Sequence, residues 1–220
     1  MRLSVNTMPL LQTKTTLDTW LAMSWDEFIN IADAPDSSKL KSYYYNGRMR
    51  LENMSTGSDH SKDHLTIILS VGLFATLRNI PINGHDCCSY RKKGTTEFQP
   101  DASYYIGDKA DVIPWGTRII DLDQYPLPDL VIEISDTSIS DDLGTKRLQY
   151  EELGISEYWI VNVQTMQIFA FTIAIDGSTR RIRESLVLSG LKLEILEQAL
   201  QRSRQENQSA TTAWLMEQFR

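Results

Sequence analysis

Cysteine is nearly missing from this 220-residue chain: it occurs twice, as the adjacent pair Cys87 and Cys88. Adjacent cysteines cannot staple distant parts of a fold, and no Cys-x-x-Cys spacing offers a thiolate metal site. So little cysteine suits a reducing compartment, and a cytoplasmic protein is expected. Long apolar runs are missing too. No stretch approaches the roughly 20 apolar residues that cross a bilayer, so no membrane partner is expected. The N-terminal "MRLSVNTMPLLQTKTTLDTW" has no defined apolar core, which argues against a secretory leader. Positive charge is in short supply as well. Lys and Arg number 22 against 29 Asp and Glu, a net charge of −7. General coating of nucleic acid usually leaves a basic footprint. Here basic residues cluster only at Arg91, Lys92 and Lys93 and at Arg180, Arg181 and Arg183, each more simply a solvated surface cluster.

The composition that remains, 41% apolar and 23% charged, is that of an ordinary globular protein with one sizeable core. "LAMSWDEFINIAD" predicts a short amphipathic helix, with Ser24 and Glu27 spaced as a capping box. "SYYYNGRMRLENM" predicts a hairpin turning at Asn46-Gly47. Leu65, Ile68, Leu69, Leu73 and Leu77 recur at helical spacing and predict a helix over 59–77 with these residues on its apolar face. Strands are expected over 84–90 and 97–106, then a proline- and glycine-rich loop over 107–128 holding a small strand, "TRIIDL". "DLVIEIS" predicts a strand and residues 142–153 a helix closed by Gly154. "EYWIVNV", "QIFAFTIA" and "RIRESLVL" predict further strands, and the C-terminal residues a helix in two pieces. The economical organisation is an N-terminal tail (1–19), one α/β domain (20–190) and a C-terminal helical appendage (191–220).

One strand carries an acid where an apolar residue would be expected. Alternation puts Leu130, Ile132 and Ile134 on one face of "DLVIEIS" and Asp129, Val131, Glu133 and Ser135 on the other. A carboxylate at the centre of such a strand is costly without a partner. Asp101 follows Pro100, which cannot donate to a ladder and suits a strand start or a bulge. If the two strands pair, Asp101 and Glu133 can converge into a hard, oxygen-only site suited to Mg²⁺. Asp142, Lys146 and Tyr150 share one helical face, so the Lys146 ammonium can approach the two acids. A plain ion pair between Asp142 and Lys146 is the structural alternative.

His60 and His64 lie one helical turn apart, a spacing that zinc accepts, but Ser61 stands where a His-Glu-x-x-His motif needs glutamate. Tyr158, Trp159, Trp115, Phe169 and Phe171 could stack on bases, with core packing the default for those inside strands.

Pro100-Asp101, Glu133-Ile134-Ser135 and "TSISDDLGTKRLQYEELGISEYWIVN" together resemble the Uma2-type proteins (domain of unknown function 820) of the PD-(D/E)XK nuclease superfamily, in a version common in cyanobacteria. The resemblance covers about residues 20–190. It implies a restriction-endonuclease-like α/β fold, a mixed central sheet flanked by helices with an αβββαβ core. It implies a Mg²⁺-dependent DNA endonuclease in which Asp101, Glu133 and the Ile134 carbonyl hold the metal, with Mn²⁺ able to substitute. The superfamily's in-strand lysine position is held here by Ser135, and the resemblance implies that Lys146 supplies the charge from the neighbouring helix. His60 matches a family histidine, which completes the candidate catalytic set of Asp101, Glu133, Ser135, Lys146 and His60. DNA and a second copy of the chain are the expected partners, without an organic cofactor. A nuclease-derived module that binds nucleic acid or protein without turnover, and a zinc hydrolase using His60 and His64, are the competing readings.

Overall fold

A computed structural model describes residues 16–54 and 57–220. The N-terminal segment expected to be a tail without a leader lies outside the described residues up to residue 15.

The chain opens with β1 (Leu21–Ala22) and α1 (Trp25–Ala32). The capping box forms as predicted, with the Glu27 N–H donating to Ser24 Oγ and the Ser24 N–H donating to Glu27 Oε2. β2 (Leu40–Tyr45) and β3 (Arg48–Asn53) make the expected hairpin. Asn46 and Gly47 at its tip take φ of 48° and 69°, the positive pair that the tightest hairpin turns need.

α2 (Ser58–Leu77) runs where predicted, and of the expected apolar face Ile68, Leu73 and Leu77 pack against the core while Leu65 and Leu69 do not. Leu65 and Leu69 are 47% and 39% exposed, and Ile67, Val71, Phe74 and Ala75 face the core, with Thr66, Ser70 and Asp63 beside them. The polar members of that face have partners. Thr66 and Ser70 donate back to carbonyls one turn earlier, and Asp63 takes two 2.7 Å bonds from Arg204.

The strand expected over 84–90 is two, β4 (Ile82–Asp86) and β5 (Tyr90–Lys92), and the one over 97–106 is also two, β6 (Thr96–Phe98) and β7 (Ala102–Ile106). The first breaks at Cys87, whose φ is 49°, and the second at Gln99-Pro100-Asp101. At each break the chain passes from one sheet to another. β8 (Ile120–Asp121) is the small strand of the proline-rich loop, and β9 (Leu130–Ser135) carries Glu133. The helix expected over 142–153 is divided into α3 (Ile139–Asp142) and α4 (Thr145–Leu153). Gly144 makes the joint, since a Cβ there would lie 2.7 Å from the Ser140 carbonyl oxygen. Gly154, at φ 78°, closes α4 in the left-handed cap as predicted. β10 (Glu157–Asn162), β11 (Gln167–Ile173), β12 (Thr179–Ile182), α5 (Leu193–Ser203) and α6 (Gln208–Gln218) complete the chain.

In place of one central sheet, the described residues form two six-stranded mixed sheets, ordered β1-β3-β2-β6-β5-β8 and β12-β11-β10-β9-β7-β4. β9 and β10 are parallel neighbours connected through α3 and α4, and β7 runs antiparallel to β9. One face of the second sheet, with Leu130, Ile132, Ile134, Trp159 and Val161, packs on α2, α5 and α6. The other face, with Val131, Tyr158 and Ile160, packs on Tyr150 of α4 and on Tyr43, Tyr90 and Phe98 of the first sheet. Burial on both faces explains why β9 and β10 are nearly continuous apolar runs. Leu193, Leu196, Leu200, Leu215 and Phe219 belong to the same core as α2, so the C-terminal helices are built into it. Among the described residues no helix is long and apolar enough to cross a membrane.

Candidate active site

The pairing of β7 with β9 sets Ala102 against Ile132. Continued by one residue, that register sets Asp101 across from Glu133, just where β7 yields to the Pro100 break. Strand alternation then turns both carboxyls to the cleft between the two sheets. Asp101 Oδ2 accepts the Ile134 N–H at 2.7 Å, which fixes the carboxylate against the end of β9. Its backbone carbonyl accepts the Cys87 N–H at 3.0 Å, so the two chain breaks brace one another.

The acids and Lys146 meet in one cavity of about 610 Å³, which Lys41, Arg50, Glu52, His60 and Ile134 also line. Glu133, only 2% exposed, accepts the Tyr150 hydroxyl at 2.7 Å through Oε1; the Tyr43 hydroxyl lies 3.4 Å and Lys146 Nζ 3.8 Å from the same oxygen. Lys146, 1% exposed, is held by more than the expected helical pair. Its Nζ is 3.1 Å from Asp142 Oδ1 and 3.0 Å from Glu52 Oε1, and it sits 4.4 Å above the Tyr43 ring. His60 reaches the site, with Nε2 3.6 Å from Asp101 Oδ1. Ser135 is buried but does not line the cavity; its hydroxyl lies 3.4 Å from that of Ser138. His64 faces another acid, Asp86, at 3.4 Å. Among the described residues no group of three or more His, Cys, Asp or Glu side chains is arranged to hold a metal, which bears on the Asp101–Glu133 pair as much as on His60 and His64.

Sequence reasoning missed the hairpin's contribution. Lys41 pairs across the ladder with Glu52, and Tyr43 with Arg50. Lys41 forms a buried ion pair with Asp101 Oδ1. Arg50 bonds Glu52 at 2.6 Å and approaches Asp141 at 3.3 Å. The signal was present: Lys41 and Tyr43 share a strand face by alternation, as do Arg50 and Glu52. The Asn46-Gly47 turn gives a reason for the hairpin without asking what that face carries.

The two acids sit in different fields. Burial alone would raise the Asp101 carboxyl, but the Lys41 ammonium and His60 hold it well below the usual range. Burial pushes Glu133 up to about 8; Lys146 pulls it down, and the Asp101 charge adds to the rise. Desolvation would lower both lysines, yet their carboxylate neighbours keep them protonated. Burial and the adjacent acids raise Tyr43 and Tyr150 well above their ordinary value, so both remain hydrogen-bond donors. Gln149, one residue earlier, is fully buried and joins α4 to the first sheet through Tyr44, Thr96 and Glu97. Among the candidate stacking residues, Tyr158 and Trp159 are core, while Trp115 stands fully in solvent.

The chain sets buried Asp101 and Glu133 beside the β7–β9 pairing of a two-sheet α/β scaffold. Its fold is similar to the crystal structure of a putative nuclease belonging to DUF820 from Anabaena variabilis ATCC 29413, with a TM-score of 0.57 over 81% of this chain and 99% of that one. The two are 17% identical, so the likeness speaks for the fold alone. The model of the Uma2 family, described as "Putative restriction endonuclease", matches residues 25–209, and the chain belongs to that family. No curated protein matches the chain.

Proposed function

We propose that this protein is a Mg²⁺-dependent endonuclease that hydrolyses DNA phosphodiester bonds, with Mn²⁺ able to replace Mg²⁺. The observation that carries the reading is the convergence of Asp101 and Glu133 in one cavity with flanking ammonium groups. The succession α2, β4, β7, β9, α4, β10 fits the αβββαβ core of restriction-endonuclease-like enzymes, and family membership points the same way.

The donor set suits a hard cation. Asp101 and Glu133 offer carboxylate oxygens and Ile134 a carbonyl, the ligand chemistry of Mg²⁺, which also keeps waters and recruits phosphate. Glu133 is the sharper sign: a carboxyl raised to about 8 by burial has too little positive charge near it for full ionisation at neutral pH. A divalent ion held there would polarise the scissile phosphate and acidify a bound water. The chain's own groups do the rest. Tyr150 fixes the orientation of Glu133, the Ile134 N–H fixes Asp101, and an ammonium offsets the charge that develops on the phosphate. Cutting both strands of a duplex calls for two such sites, so a homodimer belongs to the proposal.

One observation favours the module without turnover. The cavity is lined by six carboxylates, Asp18, Glu52, Asp101, Glu133, Asp136 and Asp141, against Lys41, Arg50 and Lys146, and both lysines are already paired with acids. Incubating the purified protein and its Glu133→Ala variant with supercoiled plasmid and Mg²⁺ separates the readings. Nicking by the wild type alone supports the nuclease. Equal traces in both, from folded protein, leave the module.

A further inference from the structure

The two lysines of the cavity differ in how free they are to meet a ligand. Lys146 has Glu52, Asp142 and Glu133 within 4 Å and the Tyr43 ring beneath it. An ammonium has three protons to give, and so many acceptors leave nothing for a newcomer. Lys41 has one ion pair among the described residues, with Asp101 Oδ1. The other Asp101 oxygen takes the Ile134 N–H. Lys41 therefore lines the cavity beside a proposed metal ligand, with His60 on the same oxygen and Glu52 across the ladder. A divalent ion and an ammonium on one carboxylate oxygen repel strongly at low dielectric. Sharing Asp101 Oδ1 between them is therefore disfavoured.

We infer that Lys41 is a resident counter-cation that gates divalent-ion entry at Asp101 and, once displaced, is the ammonium that meets the scissile phosphate, while Lys146 positions Glu133 from behind. The inference rests on the metal-dependent reading above and assigns its phosphate-contacting group. It also accounts for a cavity in which an acid needed for the metal is already neutralised.

The test uses the full chain with Lys41→Met, and Lys41→Gln as the variant that keeps a donor to Asp101. Mg²⁺ binding without DNA is measured by calorimetry, and plasmid nicking at saturating Mg²⁺ is measured separately. Removing the resident charge is expected to tighten Mg²⁺ binding roughly tenfold or more. Nicking is expected to fall by about 100-fold, the scale for losing one group that stabilises developing charge. Unchanged or weaker Mg²⁺ binding by a folded Lys41 variant, beside a wild type that cuts, overturns the gate and leaves the nuclease standing. A wild type that neither binds Mg²⁺ nor cuts, beside a Lys41→Gln protein that binds it, makes Lys41 a fixed block and overturns the inference together with the nuclease. Absence of binding in both overturns both. If neither variant folds, reductive methylation of wild-type Lys41, followed by peptide mass spectrometry, decides. Faster labelling with Mg²⁺ supports displacement, and an unchanged rate overturns it.

Discussion

Asp101 and Glu133 face one another across a strand register, are equally hidden from solvent, and are held in opposite ways. Asp101 is saturated: an ammonium on one oxygen, a backbone N–H on the other, and a histidine nearby. Glu133 has neutral phenols as its close partners, and its nearest ammonium, at 3.8 Å, is shared with Glu52 and Asp142. The surroundings of Asp101 therefore favour its ionised form, and those of Glu133 favour its protonated form. The contrast shows that burial alone does not set a carboxyl's state; the partner within hydrogen-bond reach does.

The largest effect is expected on the saturated side. Asp101→Asn keeps the shape but leaves Lys41 buried without its counter-charge. Removing one member of a buried ion pair typically costs about 3–5 kcal/mol. Urea unfolding of the metal-free protein should show a loss of that order. A loss below about 1 kcal/mol, the scale of an exposed pair, would mean that water reaches Lys41 freely and that the asymmetry between the two acids is shallow.

A smaller effect is expected from the hydrogen bond on the other side. Tyr150→Phe removes the 2.7 Å donor to Glu133 and leaves the ring in its core position beside Phe98 and Tyr158. A buried acceptor left short of a partner costs about 1–3 kcal/mol. Tyr43, at 3.4 Å, does little to recover that, because its hydroxyl donates to the Gln99 carbonyl at 2.7 Å. Urea unfolding again reads the effect, and a cost equal to that of Asp101→Asn would show that the phenol, rather than the charge balance, dominates this half of the site.

The acids and the strands that carry them were legible because alternation acts locally. In "DLVIEIS" the period of two separates Leu130, Ile132 and Ile134 from Glu133, and the two faces do enter different cores. Asn46-Gly47, Ser24 with Glu27, and Gly154 were legible for the same reason: each is fixed by its own backbone geometry. Lys41 and Glu52 were not, because their meaning depends on partners 60 and 94 residues away. The strand break at Cys87 was hidden because an extended chain can cross from one sheet to the next without changing its hydropathy; at Pro100 the missing N–H marked a strand start or bulge, but not the change of sheet. The face of α2 was misread at Leu65 and Leu69, though not at Ile68, Leu73 and Leu77, because side-chain type stood in for environment. Ser70 and Asp63 are buried through bonds to Thr66 and Arg204, while the more apolar Leu65 lies outside.

The smallest effect, and the one that bears most directly on the comparison, is expected for Glu133→Gln in protein stripped of divalent ions. A carboxyl raised to about 8 in the folded state takes up a proton on folding at any pH between its ordinary value and about 8. Stability then falls as pH rises through that window, because the folded state binds the extra proton. Gln presents the same oxygen to Tyr150 and mimics the protonated acid. Near pH 5, where the linkage has scarcely begun to act, the variant should match the wild type within about 1 kcal/mol, and it should gain on the wild type as pH rises. The clearer signature is the slope: part of the wild type's decline in stability between pH 5 and pH 8 should vanish in Glu133→Gln. Urea unfolding across that range, with chelator present, measures it. Parallel curves for the two proteins would mean that Glu133 is ionised like Asp101, and the proposed division of labour between the two acids would be gone.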